Sequence, residues 1–306
     1  MSASEARYHT TGSDNETMAD SIVTVLKPHA RDIGGLLVQR LLPSQPTRMI
    51  GPFIFFDHFG PVRFPPGYGI DVRPHPHIGL ATVTYLFDGG QVHRDSLGNV
   101  QAIAPGDVNW MTAGRGIVHS ERSGPEDRAA GHLLHGLQTW VALPKAREQA
   151  DPSFSHHPKS TLPEMTHDGV TMRLVAGTAF GERAPTPTFS PMIYLAAEMR
   201  SGATLDLPPE HEERGVYVVD GDARIGDSAL PIGHIALLKN WTTVRIDAAA
   251  ATRLVVIGGA RIDGERLIWW NFVASSQALI DAASARWRQQ DYPAIPGETE
   301  FIPLPP

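Results

Sequence analysis

Ala81-Thr-Val-Thr-Tyr-Leu-Phe87 runs directly into Asp88-Gly89-Gly90, and Gly215-Val-Tyr-Val-Val219 runs into Asp220-Gly221. Both stretches are β-branched and aromatic and both stop at a glycine turn, as a strand entering a tight turn does. Pro105-Gly106 follows the first stretch and Pro231-Ile-Gly233 the second, so matching turns recur about 130 residues apart. Strand, glycine turn, strand, Pro-Gly turn and strand is the order of a small double-sheet barrel, and its recurrence implies a duplicated domain. Outward from the first stretch, short apolar runs between Pro65-Pro66-Gly67, Leu97-Gly98-Asn99 and Pro105-Gly106-Asp107 extend the rhythm from about Ser21 to Leu143.

A chain of 306 residues has room for two domains of ordinary size, and 42% hydrophobic with 19% charged residues suits a globular core. The 29 Gly and 26 Pro favour many short strands over long helices. We expect a loose polar tail over 1–20, a first barrel over 21–145, a Pro- and His-rich connection over 146–163, a second barrel over 164–270, and a C-terminal helix with an extended tail over 271–306. In that last part Ser275-Ser276 can cap a helix from Gln277 to about Gln289, with Ile280, Ala283 and Trp287 on one face. Pro293 and Pro296 stop it, and the apolar end Glu300-Phe-Ile-Pro-Leu-Pro-Pro306 is expected to pack on the body.

A net charge of -7 repels phosphate backbones and anionic surfaces, so direct nucleic-acid binding and membrane association are not expected. The chain has no cysteine, which excludes disulfides, thiolate metal sites and a cysteine nucleophile. The N-terminal stretch has no apolar core of a signal peptide, and no run approaches the ~18 apolar residues that span a bilayer. The expectation is a soluble, cytoplasmic monomer.

Among the fourteen His, His75 and His77 are spaced by two, and His119 with Glu121 forms a second such pair. Residues two apart on a strand share a face with Cα atoms about 7 Å apart, a gap that two imidazoles close onto one ion at ~2.1 Å bonds. If the two strands face each other, four ligands converge. Three imidazoles and a carboxylate without thiolate suit Fe(II), Mn(II), Ni(II), Cu(II) or Zn(II), and leave about two positions of an octahedral ion open. The other reading is of surface or capping histidines at a barrel mouth. His211 and Glu213 repeat the spacing, yet no His or Glu lies between Leu237 and Ile246 opposite them, so no second site is expected.

Around these ligands, His93 and Asp95 read first as turn residues bonding their own backbone and second as an orienting pair or a base. Asp57-His58 reads as part of the pocket mouth or as a structural pair, and Arg115 as a loop ion-pair partner. Phe53, Phe55, Phe56, Trp110 and Trp140 are candidates for an apolar wall.

The segment Arg73-Pro-His-Pro-His-Ile-Gly79, with His93-Arg-Asp-Ser-Leu-Gly-Asn99, Pro105-Gly-Asp107 and Trp110-Met-Thr-Ala-Gly-Arg-Gly-Ile-Val-His-Ser-Glu121, closely resembles the pirin family of two-barrel cupins. Phe56-Asp-His-Phe-Gly60, His135-Gly-Leu-Gln138 and Trp269-Trp-Asn-Phe-Val-Ala-Ser-Ser276 extend the resemblance over nearly the whole chain. It implies an all-β fold of two cupin-type β-barrels (a bicupin) with a short C-terminal helix. It also implies one divalent metal in the first barrel, iron before Mn, Ni, Cu or Zn, on His75, His77, His119 and Glu121. The activity associated with the family is quercetin 2,3-dioxygenation, which makes a flavonol-like aromatic and O2 the expected substrates and Glu121 a ligand that can also take a proton. The alternative it carries is an iron-dependent regulator acting through a protein partner without turnover. One departure is Ala81, where many pirins have Glu, which is expected to leave the pocket less polar.

Overall fold

The computed structural model describes residues 21–33, 36–45 and 47–305, so the tail expected over 1–20 lies outside the described residues. The first half carries β1 (Ile22–Leu26), β2 (His29–Asp32), β3 (Leu37–Leu42), β4 (Phe53–Phe64), β5 (Asp71–His77), β6 (Leu80–Asp88), β7 (Gln91–Asp95), β8 (Val100–Ile103), β9 (Val108–Thr112), β10 (Ile117–Arg122), helix α1 (Pro125–Ala130), β11 (His132–Ala142) and β12 (Ser153–His157). The second carries β13 (Glu164–His167), β14 (Val170–Ala179), β15 (Glu182–Arg183), β16 (Met192–Met199), β17 (Thr204–Leu207), β18 (Glu213–Asp220), β19 (Ala223–Ile225), β20 (Ser228–Leu230), β21 (Ile235–Leu238), β22 (Val244–Ala248), β23 (Thr252–Gly259), β24 (Leu267–Trp269), β25 (Phe272–Ala274) and helix α2 (Gln277–Arg288).

Each half is a barrel made from a large and a small antiparallel sheet. In the first, β12-β9-β6-β11-β4-β3-β2 faces β5-β10-β7-β8; in the second, β1-β21-β18-β23-β16-β14-β13 faces β17-β22-β19-β20. The two large sheets pack on each other, because alternation along their strands makes both faces apolar. Ala81, Val83 and Tyr85 of β6 join Phe53, Phe56, Trp110 and Leu137 against Tyr194, Tyr217, Val255 and Ile257 of the other barrel. Each large apolar side chain buried in this way contributes roughly 1.5–3 kcal/mol.

The expected boundaries need one correction. β1 precedes the first barrel in sequence but pairs with β21 of the second, and β12, inside the expected connection, pairs with β9 of the first. β1 thus crosses to the second barrel while β12 extends the first, and each caps an edge that would otherwise leave backbone groups unpaired.

The second barrel's interior is mainly apolar, with the buried Arg214 bonded to the Pro208, Lys239 and Thr242 carbonyls. Leu205 and Leu207 of β17 and Val244 and Ile246 of β22, counterparts of β5 and β10, fill it together with Ile225, Leu230 and Leu254.

After the second barrel the chain returns to the first. Phe272 of β25 bridges Ile78 in parallel, and α2 buries Ile280, Ala283 and Trp287 beside Ile78, Val118 and Phe272. The expected serine cap differs in detail: Ser275 donates through its N–H and hydroxyl to Glu148 at 2.8 and 2.6 Å, and Ser276 makes no side-chain capping bond. The tail crosses β5 and β10, with Ile302 N–H donating to Pro74 C=O at 2.8 Å and Trp287 Nε1–H to Ile302 C=O at 2.9 Å. Among the described residues no helix is long and apolar enough to cross a membrane.

Candidate metal centre

β5 and β10 are antiparallel neighbours, with His75 opposite His119 and His77 opposite Ile117. Opposed residues lie about 4.5–5.5 Å apart at Cβ, and the period of two adds His77 to the same inward face. One nitrogen of each of His75, His77 and His119 lies within 4.8 Å of the others, and His77 Nε2 is 3.1 Å from His119 Nε2. All three side chains are buried.

Two carbonyls orient this cluster. His75 Nδ1–H donates to Arg73 C=O at 2.8 Å, and His77 Nδ1–H donates to Asn271 C=O at 3.0 Å. A neutral imidazole protonated at Nδ1 has a bare lone pair at Nε2, so both rings turn acceptors toward one point. Burial pushes His75 down to about 4, and burial, helped by the neighbouring imidazoles, holds His77 and His119 well below the ordinary range. Buried neutral nitrogen donors that converge without a hydrogen-bond donor among them suit a divalent transition metal. The donor set therefore fits the ion that the family resemblance implies.

Glu121 follows a register irregularity in β10 that sets it opposite Val72 on β5 and His93 on β7. It is partly exposed, and burial of its surroundings raises its carboxyl above the ordinary range. Gln91 Nε2–H donates to its Oε1 at 3.0 Å. The Thr84 hydroxyl lies 3.4 Å from the same oxygen and donates to Gln138 Oε1 at 2.8 Å. Thr84, Gln138, Asp57 and Arg40 stand side by side on β6, β11, β4 and β3, forming a polar row along the inner wall. Arg40 closes it with a fork onto Asp57 at 2.8 and 2.7 Å. An aromatic layer lies next to this row: Trp140 meets His77 edge-on at 5.1 Å, Phe55 stacks on Trp140 at 3.9 Å, and Arg40 covers Phe55 at 4.2 Å.

Other candidates separate by face. Phe55 and Trp140 line the metal side, whereas Phe53, Phe56 and Trp110 belong to the core between the barrels. Ala81 also faces that core, fully buried, so its lack of a carboxylate has no bearing on the pocket; the inward neighbour is Thr82. Asp57 points into the barrel while His58 points out of it, 2.5 Å from the Tyr217 hydroxyl and 2.7 Å from His135 Nε2. Arg115 pairs with Asp151 at the surface. His211 donates to Thr178 C=O at 2.8 Å within the second barrel, and Glu213 accepts from Gly51 N–H at 2.8 Å in the turn before β4, so neither joins a ligand set.

His93 and Asp95 combine the two roles considered for them. Asp95 Oδ1 accepts from Leu97 N–H at 2.9 Å and Asn99 N–H at 3.1 Å, which is turn chemistry, while Oδ2 faces His93 Nε2 at 2.9 Å. Burial opposes the charge on Asp95, yet hydrogen bonds from His93 and Asn99 hold its carboxyl below the ordinary value. His93 in turn reaches His119, with the two Nδ1 atoms 3.4 Å apart. Sequence reading missed Asn271, whose contribution is a backbone carbonyl far along the chain, and Gln91, which its two-residue spacing from His93 could have flagged.

Residues 35–141 match the family model described as Pirin, and residues 194–293 match the Pirin C-terminal cupin domain. The chain belongs to the pirin family. It is 43% identical over 286 residues to a pirin-like protein of Caulobacter vibrioides, covering 92% of this chain and 98% of the relative. A Pseudomonas aeruginosa protein provisionally named as a quercetin 2,3-dioxygenase is 41% identical over 262 residues, covering 84% and 81%. The crystal structure of quercetin 2,3-dioxygenase from Acinetobacter baumannii matches with a TM-score of 0.87 at 32% identity, covering 93% of this pirin and 95% of that chain. The bicupin fold read from the recurring turns and the family motifs is thus the fold observed.

Proposed function

We propose that this pirin is a metal-dependent dioxygenase that cleaves a flavonol-like aromatic with O2, with His75, His77, His119 and Glu121 holding the metal and Fe(II) as its identity. The observation that carries the reading is the buried convergence of three neutral imidazoles, those of His75, His77 and His119, with Glu121 two residues beyond His119 on the same strand. When bound, a divalent transition metal supplies a Lewis-acid and redox centre for a hydroxy-ketone and O2. Glu121 is the group suited to take the substrate's hydroxyl proton, because its raised carboxyl is a better base than an ordinary one. Gln91 holds Glu121 Oε1 in place, and among the described residues no donor reaches Oε2. The layer of Trp140, Phe55 and Arg40 offers a flat apolar side with a cationic edge to a planar, phenolic ligand and excludes water from that flank. Likeness to the P. aeruginosa and A. baumannii relatives supports the substrate class.

Oxygen uptake by the metal-loaded full-length chain with quercetin tests the reading. Turnover above a free-metal blank is expected, and Glu121→Gln should lower it by about 10²-fold or more while a bound ion remains. A fully loaded protein that consumes no O2 would give the site over to the non-enzymatic, regulatory alternative.

A further inference from the structure

We infer that Asp95 and His93 form a two-residue relay that sets the tautomer of His119 and so turns its Nε2 lone pair toward His75 and His77. The inference rests on the metal reading of that cluster and adds two positioning residues to it. It starts from Asp95, which is fully buried at the end of β7. A carboxylate only accepts, so the 2.9 Å contact between Asp95 Oδ2 and His93 Nε2 requires the proton to sit on His93 Nε2. In its neutral form His93 is then bare at Nδ1. That atom lies 3.4 Å from His119 Nδ1, which must therefore be the donor, and His119 is left bare at Nε2. The same tautomer is imposed on His75 and His77 by the carbonyls of Arg73 and Asn271. Three different partners thus produce one outcome, three Nε2 acceptors aimed at a common point.

The turn after β7 does not by itself need His93. Leu97 N–H and Asn99 N–H bond Asp95 Oδ1, and Asn99 Nδ2–H reaches both carboxylate oxygens, at 3.0 and 2.9 Å. His93 is an addition to that turn, and it is held as a positioned group would be. Its ring is buried and stacks on Phe154 of β12 with centroids 4.3 Å apart and planes 12° from parallel. Phe154 arrives on β12, the edge strand that pairs with β9 of the same barrel. Physically this is a carboxylate–histidine support of a metal ligand with one further imidazole inserted between them.

Binding of Ni2+ to the full-length chain, measured by chelator competition alongside the thermal midpoint of the metal-free protein, tests the relay. His93→Phe keeps a flat ring against Phe154 but removes the acceptor, and should weaken Ni2+ binding by about 10- to 100-fold with little change in midpoint. His93→Gln can donate to Asp95 and accept from His119, and should restore affinity to within about threefold of the parent. Asp95→Asn should follow His93→Phe in affinity. His93→Phe at parental affinity, or His93→Gln as weak as His93→Phe, overturns the relay. Ni2+ binding that is kept in His93→Phe but lost in His75→Ala overturns the relay alone, whereas a parent chain that binds no Ni2+ overturns the metal reading and the relay with it.

Discussion

A histidine buried as the neutral base must take up a proton when the chain unfolds below its ordinary pKa. His58 and His75 are both pushed from 6.5 to about 4, the first by burial between the barrels and the second by burial at the cluster. Between those values the unfolded chain binds more protons than the folded one, so stability rises with pH at ~1.4 kcal/mol per unit for each group. No penalty remains above 6.5, and metal-free protein should lose stability steadily as pH falls toward 4. Urea midpoints at pH 7, 6 and 5 check this, and a flat series contradicts it. The same burial protects the ligands from protons. Ni2+ occupancy should hold from pH 7 to about 5, whereas solvated imidazoles would lose metal near 6; a half-loss at pH 6 would show that the cluster is wetter than its geometry. His75→Ala, His77→Ala and His119→Ala should each lower Ni2+ affinity by at least ~10- to 100-fold, with His211→Ala unchanged, as read by elemental analysis.

Strands carry the next level of information, and β6 is the instructive case. Its alternation is legible as a strand from Ala81 to Phe87, but periodicity alone does not say which of its two apolar faces meets the pocket. Ala81 belongs to the face against the other barrel, so Ala81→Glu buries a carboxylate among Phe53, Val83 and Tyr194-type neighbours instead of enriching the metal site. We expect it to destabilise the fold by several kcal/mol, with the thermal midpoint falling sharply in protein loaded with or without metal. An unchanged midpoint with altered turnover would mean that the strand faces the other way. Helix α2 was legible because its apolar residues repeat at helical spacing. Its start was not, because Glu148, more than a hundred residues upstream, takes the Ser275 hydroxyl that a local cap would have used.

The crossing of β1 to the second barrel and the core shared by the two large sheets tie the barrels together. Separating them would expose both an unpaired strand edge and the apolar face of each large sheet, so neither has a low-energy way to unfold alone. Calorimetry of the full-length chain should therefore give one cooperative transition, with calorimetric and van't Hoff enthalpies in agreement. Two resolved transitions would show that the shared core is weaker than its burial implies.

The duplicated barrel, the C-terminal helix and the two candidate ligand pairs were determined by local signals: glycine turns after β-branched runs, a helical apolar stripe, and imidazoles spaced by two. These follow from backbone sterics and side-chain periodicity, which act over a few residues. The tertiary structure alone decided which face of β4 and β6 meets the pocket, and therefore that Phe55 and Trp140 line it while Ala81, Phe53 and Trp110 do not. It alone brought Asn271 C=O to His77 and Phe154 to His93. Those contacts join residues far apart along the chain through burial and strand pairing, and no short stretch of sequence encodes them.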